Sequence, residues 1–261
     1  MSWLPRSSLL KTICHRYVEH CDSPSGENNG DPERNGEYRF LRVVGPRLGT
    51  VFDVGANRGD WTAAVLATAP RVTRVVAFEP WAPTFAKLSA RDFPSHVVLE
   101  QAALSSEEGK ATLHGYGTYP EMNSFHSRTG IQDYLADTQP DRTEQVATWT
   151  LDGYCQRKGI ERIDFLKVDT EGHEWEVLQG ARKLLANGSI GIIQFEYGGT
   201  YIDSRRLLKD VFELLTCLGY CLHKIVPRGL VACPAYSQRL ENFQYKNFIA
   251  VHPAAERLLL P

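Results

Sequence analysis

The chain has 261 residues, a formal net charge of −2 and 43% hydrophobic residues, enough to bury a substantial core in one or two domains of about 150 residues each. A near-neutral balance argues against a protein that holds nucleic acid mainly by neutralising phosphates, and no run of about 18 apolar residues is present to span a bilayer. The N-terminal MSWLPRSSLLKTICHRYVEH has only short apolar pieces broken by Arg6, Lys11, His15 and Arg16, so no cleavable secretory signal is expected. The six cysteines, at 14, 21, 155, 217, 221 and 233, form no CxxC pair and read as reduced thiols of a cytoplasmic protein. Cys217, Cys221 and His223 have the residue types of a zinc site, but structural zinc usually takes four ligands in tighter pairs.

Residues 7–20 carry Leu9, Leu10, Ile13, Tyr17 and Val18 at helical spacing and predict a short amphipathic helix. Residues 21–36, with almost nothing to bury, read as a flexible linker. One domain is expected over residues 37–261. Within it, short β-branched runs at 50–54, 73–78, 96–100, 164–168 and 190–195 alternate with helical stretches at 60–68, 83–90, 151–158, 171–186 and 204–218. That alternation predicts right-handed βαβ units, hence an α/β fold with a mostly parallel sheet covered on both faces. Runs at 220–226 and 245–251 have only a loop between them, so the sheet is expected to finish on a reversed strand. An insertion at about 105–149 breaks the alternation. Its periodic ends, 110–114 and 145–149, predict a hairpin, and the stretch GYGTYPEMNSFHSRTG between them is long enough to be a binding loop. His114, His126 and Arg128 are its candidate substrate contacts.

The first chemical signal is TVFDVGANRGDWT. A strand runs into Asp53, a tight turn follows at Gly55 and Gly59, and a helix begins near Asp60, which makes a ligand crevice lined by backbone N–H groups. A dinucleotide fingerprint starting at Gly55 would need glycines at 57 and 60, where the chain has Asn57 and Asp60. A phosphate loop would need Lys-Ser/Thr where it has Asp60-Trp61. An acid at the turn repels phosphate and suits a cationic ligand. S-adenosylmethionine, with a sulfonium and an ammonium against one carboxylate, fits better than NAD or ATP. The strand VVAFEP then ends in Glu79, 24 residues after Gly55, where an acid accepts hydrogen bonds from ribose hydroxyls; its alternative role is to cap the next helix. HVVLEQAALS puts Ala102 where an adenine edge would lie by analogy with the fold.

The most specific stretch is ERIDFLKVDTEGHEWEVLQGA, residues 161–181. Its strand delivers Asp169, Glu171 and His173 to the carboxyl edge of the sheet, while Glu174 and Glu176 read as helix N-terminal charge. Together with FDVGANRGDWT, VVAFEP, TLDGYC and IIQFE, this stretch resembles the FkbM family of S-adenosylmethionine-dependent methyltransferases over roughly residues 48–251. The resemblance implies a Rossmann-like class I methyltransferase sandwich, seven-stranded with a reversed final strand. It also implies O-methylation of a sugar, polyketide or other secondary metabolite. Asp53, Gly55, Asn57 and Gly59 would surround the methionine part of the cofactor and Glu79 the ribose; Asp169, Glu171 and Gly172 match the second motif, which does not fix His173.

A sulfonium is an activated methyl donor, so transfer needs positioning above all, and an alcohol acceptor must also lose its proton. Two routes fit. His173, Asp169 or Glu171 acts as general base, or Asp169 and Glu196 hold a cation such as Mg²⁺ that lowers the hydroxyl's pKa. Tyr197 and Tyr201 either stack on a sugar or cover the sheet end; Trp149 and Trp175 are expected in the core, and Asp152 at a helix N-cap. The expected partner is a small-molecule or saccharide acceptor, with no nucleic acid, and a homodimer is compatible with the sequence. A catalytically inactive S-adenosylmethionine-binding scaffold is the competing reading, disfavoured by the joint presence of Asp53, Glu79, Asp169 and Glu171.

Overall fold

A computed structural model describes residues 28–117, 119–128 and 140–259; the expected helix over residues 7–20 lies outside them. In chain order, α1 (Pro32–Asn35) and α2 (Glu37–Val44) lead into β1 (Thr50–Val54), α3 (Asp60–Thr68), β2 (Arg74–Phe78), α4 (Ala82–Ser89) and β3 (Val97–Glu100). The insertion supplies β4 (Ala103–Leu104), β5 (Gly109–Gly115) and β6 (Arg142–Trp149), followed by α5 (Leu151–Lys158), β7 (Ile163–Val168), α6 (Glu174–Gln179) and α7 (Arg182–Ala186). The chain continues through β8 (Ile190–Tyr197), α8 (Thr200–Ser204), α9 (Leu208–Cys217), β9 (Cys221–Val226), β10 (Gly229–Ala232) and β11 (Lys246–Val251).

The main sheet has the order β10-β9-β11-β8-β7-β1-β2-β3. Strands β3, β2, β1, β7 and β8 run parallel, and β11 enters antiparallel between β8 and β9. This is the Rossmann-like class I methyltransferase arrangement with its reversed strand. The expected seven strands become eight because β9 turns back through β10, four residues too short to announce themselves by periodicity. The insertion forms its own sheet, β4-β6-β5, whose β5–β6 hairpin pairs Gly109 with Thr148 through to Gly115 with Arg142. Among the described residues no helix is long and apolar enough to cross a membrane, and Cys155, Cys217, Cys221 and Cys233 are free thiols.

Side-chain alternation across the parallel strands decides what reaches each face. Phe52, Val76, Leu166 and Ile193 enter one apolar core, and Val51, Val75, Phe165 and Ile192 enter the other. On the second face the register aligns Asp53 with Lys167 and Lys167 with Gln194. Past the apolar row, that face therefore turns polar at the carboxyl ends of β1, β7 and β8. Asp169 and Glu196 continue the same parity one step further.

Three expectations need correction. Residues 31–36, read as part of the linker, fold: Asp31 caps α1 by accepting from the Glu33 backbone N–H, Gly36 in the left-handed region ends it, and Asn35 is buried. The single helix expected over 171–186 is two, because Asp152 reaches between them. Its backbone N–H bonds to the Gly180 carbonyl, and its carboxylate accepts from Lys183 and Leu184 N–H at 2.9 and 3.0 Å. Asp152 thus caps α7, while Thr150 caps its own helix α5. The helix expected over 204–218 starts later, at Leu208: Ser204 ends α8, Arg205 follows it in the left-handed region at φ 56°, and Asp210 accepts from the Leu207 N–H at the start of α9.

Candidate active site

A cavity of about 690 Å³ opens at the carboxyl ends of β1, β2, β7 and β8, the ligand crevice of open α/β sheets. Asp53, Gly55, Asn57, Glu79, Ala102, Asp169, Glu171 and Glu196 all line it. Two expected site residues do not. Gly59 is the N-cap of α3, in the left-handed region at φ 81°, and a side chain there would strike Leu88 and Phe93. Its glycine serves packing rather than a ligand. Gly55, at φ 84°, has no room for a Cβ because the Asp169 carbonyl occupies that space, so the turn after β1 sits directly on the end of β7.

His173 is the larger correction. It is 7% exposed, faces Ser105 through Nε2 at 3.0 Å and packs against the Phe125 ring at 4.5 Å, outside the cavity lining. Burial, with His126 and Arg206 nearby, pushes its imidazole down to about 3. It is neither placed nor poised to take a proton from a substrate in the cavity.

Asp53 is fully buried. Thr62 Oγ1 donates to its Oδ2 at 2.7 Å, while Oδ1 has no hydrogen-bond partner among the described residues. Burial raises its pKa, opposed by Lys167 and Thr62. Glu79 accepts from the backbone N–H of Trp81 on Oε1 and of Asn57 on Oε2, at 2.9 and 3.0 Å. Its bond to Trp81, the N-cap residue of α4, is the one its alternative role required; its bond to Asn57 ties it to the turn after β1, and it also lines the cavity. Burial lifts its carboxyl to about 7 in spite of those two donors.

At the other end of the cavity Asp169, Glu171 and Glu196 bring one carboxylate oxygen each within 4.8 Å of one another. Lys167, buried on the same strand as Asp169, donates from Nζ to Asp169 Oδ2 at 2.7 Å. The charges of Asp169, Asp53 and Glu37 outweigh the cost of burying its ammonium and raise its pKa. Burial and the neighbouring acids raise Glu171 and Glu196, against Arg128 for the first and Lys167 for the second. Glu171 sits at φ 55°; Arg128 Nη1 donates to its Oε2 at 3.1 Å and Ser124 Oγ to its carbonyl at 2.7 Å. Glu174, read as helix-end charge, instead accepts from Thr170 N, Thr170 Oγ1 and Gly172 N, at 2.8, 2.9 and 3.3 Å. It holds the turn that presents Glu171.

Several lining residues were not anticipated. Lys167 is a charge inside a buried strand, at even spacing from Asp169, and that pattern was the available signal. Glu37 comes from the start of α2 and accepts from Gln194, Asn35 and Asn247 at 2.6, 2.6 and 3.0 Å; no local pattern marks it. The insertion contributes Leu113, Glu121, Asn123 and Phe125 rather than His114, His126 or Arg128. Tyr197 and Tyr201 are fully buried in the core, so they cover the sheet end, and Trp149 and Trp175 pack on that core as expected. Cys217, Cys221 and His223 are not among the metal-type clusters of the described residues.

Residues 53–222 match the family model described as the methyltransferase FkbM domain. Among curated proteins, the chain is 27% identical over 188 residues to the 2-O-methyltransferase NoeI of Sinorhizobium fredii, covering 69% of this chain and 75% of that protein. It is 29% identical over 167 residues to the AMB antimetabolite synthetase AmbE of Pseudomonas aeruginosa, covering 53% of this chain but 8% of that much longer protein. A solved methyltransferase FkbM from Methylobacillus flagellatus superposes with a TM-score of 0.48 at 14% identity, over 78% of this chain and 43% of that one. With the family model matched from Asp53 to β9, the chain belongs to the FkbM methyltransferase family.

Proposed function

We propose that this chain methylates a hydroxyl group of a small metabolite or saccharide with S-adenosylmethionine as donor. The observation that carries the reading is one cavity joining two anchors of cofactor type, Asp53 and Glu79, to the carboxylate trio of Asp169, Glu171 and Glu196. The residues fit the cofactor. Asp53 Oδ1, buried and unpartnered, suits a cationic group, and Glu79 keeps a lone pair on each oxygen for ribose hydroxyls. About 690 Å³ lies within the range of small-molecule sites. The name of NoeI, a 2-O-methyltransferase, supports a hydroxyl acceptor.

When bound, the cofactor supplies a methyl group already activated on sulfur. The chain's own residues then orient the acceptor hydroxyl against the trio and receive its proton. Lys167 fixes Asp169 by one oxygen. Glu171, whose burial raises its affinity for protons against the pull of Arg128, suits general-base work, and Glu196 beside it is raised in the same direction by burial. A metal-assisted route is the second reading, favoured by the three convergent carboxylate oxygens, a donor set that Mg²⁺ accepts. Asp169, Glu171 and Glu196 would hold the ion and lower the hydroxyl's pKa.

Calorimetry should find that S-adenosylhomocysteine binds and NAD(P) does not, and a screen of hydroxylated sugars and metabolites should yield products heavier by one methylene. Absence of S-adenosylhomocysteine binding defeats the reading. Activity that survives exhaustive chelation defeats the metal-assisted route, and complete loss restored by Mg²⁺ defeats the metal-free one.

Glu79 gives this binding a pH dependence. Ribose hydroxyls need its charged form, so affinity for S-adenosylhomocysteine should fall about tenfold from pH 8 to pH 6, across the carboxyl's value of about 7. Stability of the free protein moves the other way. An acid whose folded pKa is raised stabilises the fold below its unfolded value, and that contribution is lost as pH rises from about 4.5 through about 7. Glu79→Gln should flatten the binding profile at weaker affinity. An unchanged slope in that variant would remove Glu79 from the ribose site.

A further inference from the structure

Outside the cavity, a second set of polar side chains is buried where the insertion meets the start of α6. His126 comes from the segment between β5 and β6, His173 is the N-cap of α6, and Glu176 lies in that helix's first turn. One metal-ligating atom from each falls within 4.8 Å of the others. His126 Nε2, His173 Nδ1 and Glu176 Oε2 are all buried without a hydrogen-bond partner among the described residues. Buried polar atoms are nearly always partnered, and three exceptions converging on one point ask for a ligand that accepts lone pairs.

We propose that His126, His173 and Glu176 bind a zinc-type divalent transition metal that fastens the insertion to the N-terminus of α6. Two imidazoles and one carboxylate form a donor set that zinc takes up with a water in the fourth position. The outer atoms of two of the ligands, His173 and Glu176, are already engaged as such a site requires. His173 Nε2 lies 3.0 Å from Ser105 Oγ, which as acceptor leaves the Nδ1 lone pair free, and Arg206 donates twice to Glu176 Oε1, at 3.2 and 2.8 Å, leaving Oε2. His173 Nδ1 and Glu176 Oε2 are 3.8 Å apart, close to the roughly 3.4 Å between tetrahedral ligands each about 2.0–2.1 Å from zinc. The Phe125 ring on His173 supplies an apolar wall.

The proposed ion has a definite place in the molecule. None of its three ligands lines the cavity, so it takes no part in proton transfer. Its neighbours do reach the cavity: Ser124 and Arg128, on either side of His126, hold Glu171, and Asn123 and Phe125 line it. The metal is therefore a clip for the segment nearest the acceptor, independent of the Asp169–Glu171–Glu196 trio.

The test uses untagged full-length protein stripped with a chelator and titrated with zinc alone. One zinc per chain should bind, raising Tm by about 5 °C or more once zinc exceeds its Kd a hundredfold. Cobalt in its place should give the intense visible absorption of a tetrahedral site. His126→Ala, on the insertion and outside the sheet, should keep the circular dichroism spectrum and lose zinc affinity at least a hundredfold. Glu176→Gln should also lose it, whereas Glu196→Gln and the Cys217→Ser/Cys221→Ser double variant should each retain one zinc. Failure of the wild-type protein to take up zinc overturns the proposal. So does retention of zinc by a folded His126→Ala protein, or its loss only in Glu196→Gln.

Discussion

Asp169→Asn should lower methyl-transfer turnover by about 10²- to 10⁴-fold while S-adenosylhomocysteine affinity stays within about threefold. The split follows from where Asp169 stands. It directly follows β7, lies with the other two carboxylates of the trio, and is fixed through one oxygen by Lys167 at 2.7 Å. Asparagine keeps the shape but removes the charge that orients an acceptor hydroxyl and helps carry its proton. It also takes away one of three anions around the buried Lys167, whose remaining neighbours are Asp53 and Glu37, so about 1–3 kcal/mol of stability should go as well. A Tm measured beside the kinetics separates the two effects, because a merely unstable variant recovers its turnover at lower temperature. Turnover within threefold of wild type would take Asp169 out of the reaction. A larger loss in Glu171→Gln than in Asp169→Asn would leave Asp169 to orient the acceptor and Glu171 to take its proton.

The strands that build this site were readable because each is apolar, β-branched and closed by a turn residue. β1 and α3 begin and end where the pattern puts them, and β2, β3 and β7 differ by a residue at one end. What local pattern could not supply was interruption from a distance. The helix after β7 breaks at Gly180 because Asp152, 28 positions earlier, bonds there, and helical periodicity runs straight through such a break. Residues 31–36 look like a linker by composition, yet one Asx cap and a proline at the first helical position suffice to order them against the sheet.

The site divides along the same line. Asp53, Glu79, Asp169 and Glu196 were visible because an acid at the end of an apolar strand has no packing role to perform. Sequence adjacency misled at His173, which follows the glutamate–glycine pair of the motif. Gly172, at φ 98° and pressed against Thr200, turns the chain there, and the imidazole leaves the cavity for the far side of the turn. Lys167 was harder to read: within FLKV its even spacing from Asp169 is the local signal, and the register beside Asp53 and Gln194 shows what it serves, a polar row. Glu37 and Tyr245 reach the cavity from opposite ends of the chain, and only the folded topology brings them together.

Asp53→Asn should weaken S-adenosylhomocysteine binding at least about thirtyfold, the equivalent of about 2 kcal/mol, without destabilising the free protein by a comparable amount. Asp53 has one oxygen satisfied by Thr62 and one unpartnered at zero exposure, and burial already raises its pKa. In the free protein the charge is therefore a liability, and the neutral amide relieves it, at the expense of one neighbour of Lys167. In the complex the sign reverses. A ligand ammonium buried beside an ionised carboxylate gains an attraction that an amide cannot match, and truncating one partner of such a pair costs about 2–5 kcal/mol. Opposite effects on stability and binding identify a residue kept for its ligand, whereas a packing role would move both together. Comparing donor and product locates the contact further: equal weakening of S-adenosylmethionine and S-adenosylhomocysteine assigns Asp53 to the ammonium they share, and selective weakening of the donor assigns it to the sulfonium. A folded Asp53→Asn protein that binds S-adenosylhomocysteine within threefold of wild type would leave the unpartnered oxygen without a role in the cofactor site.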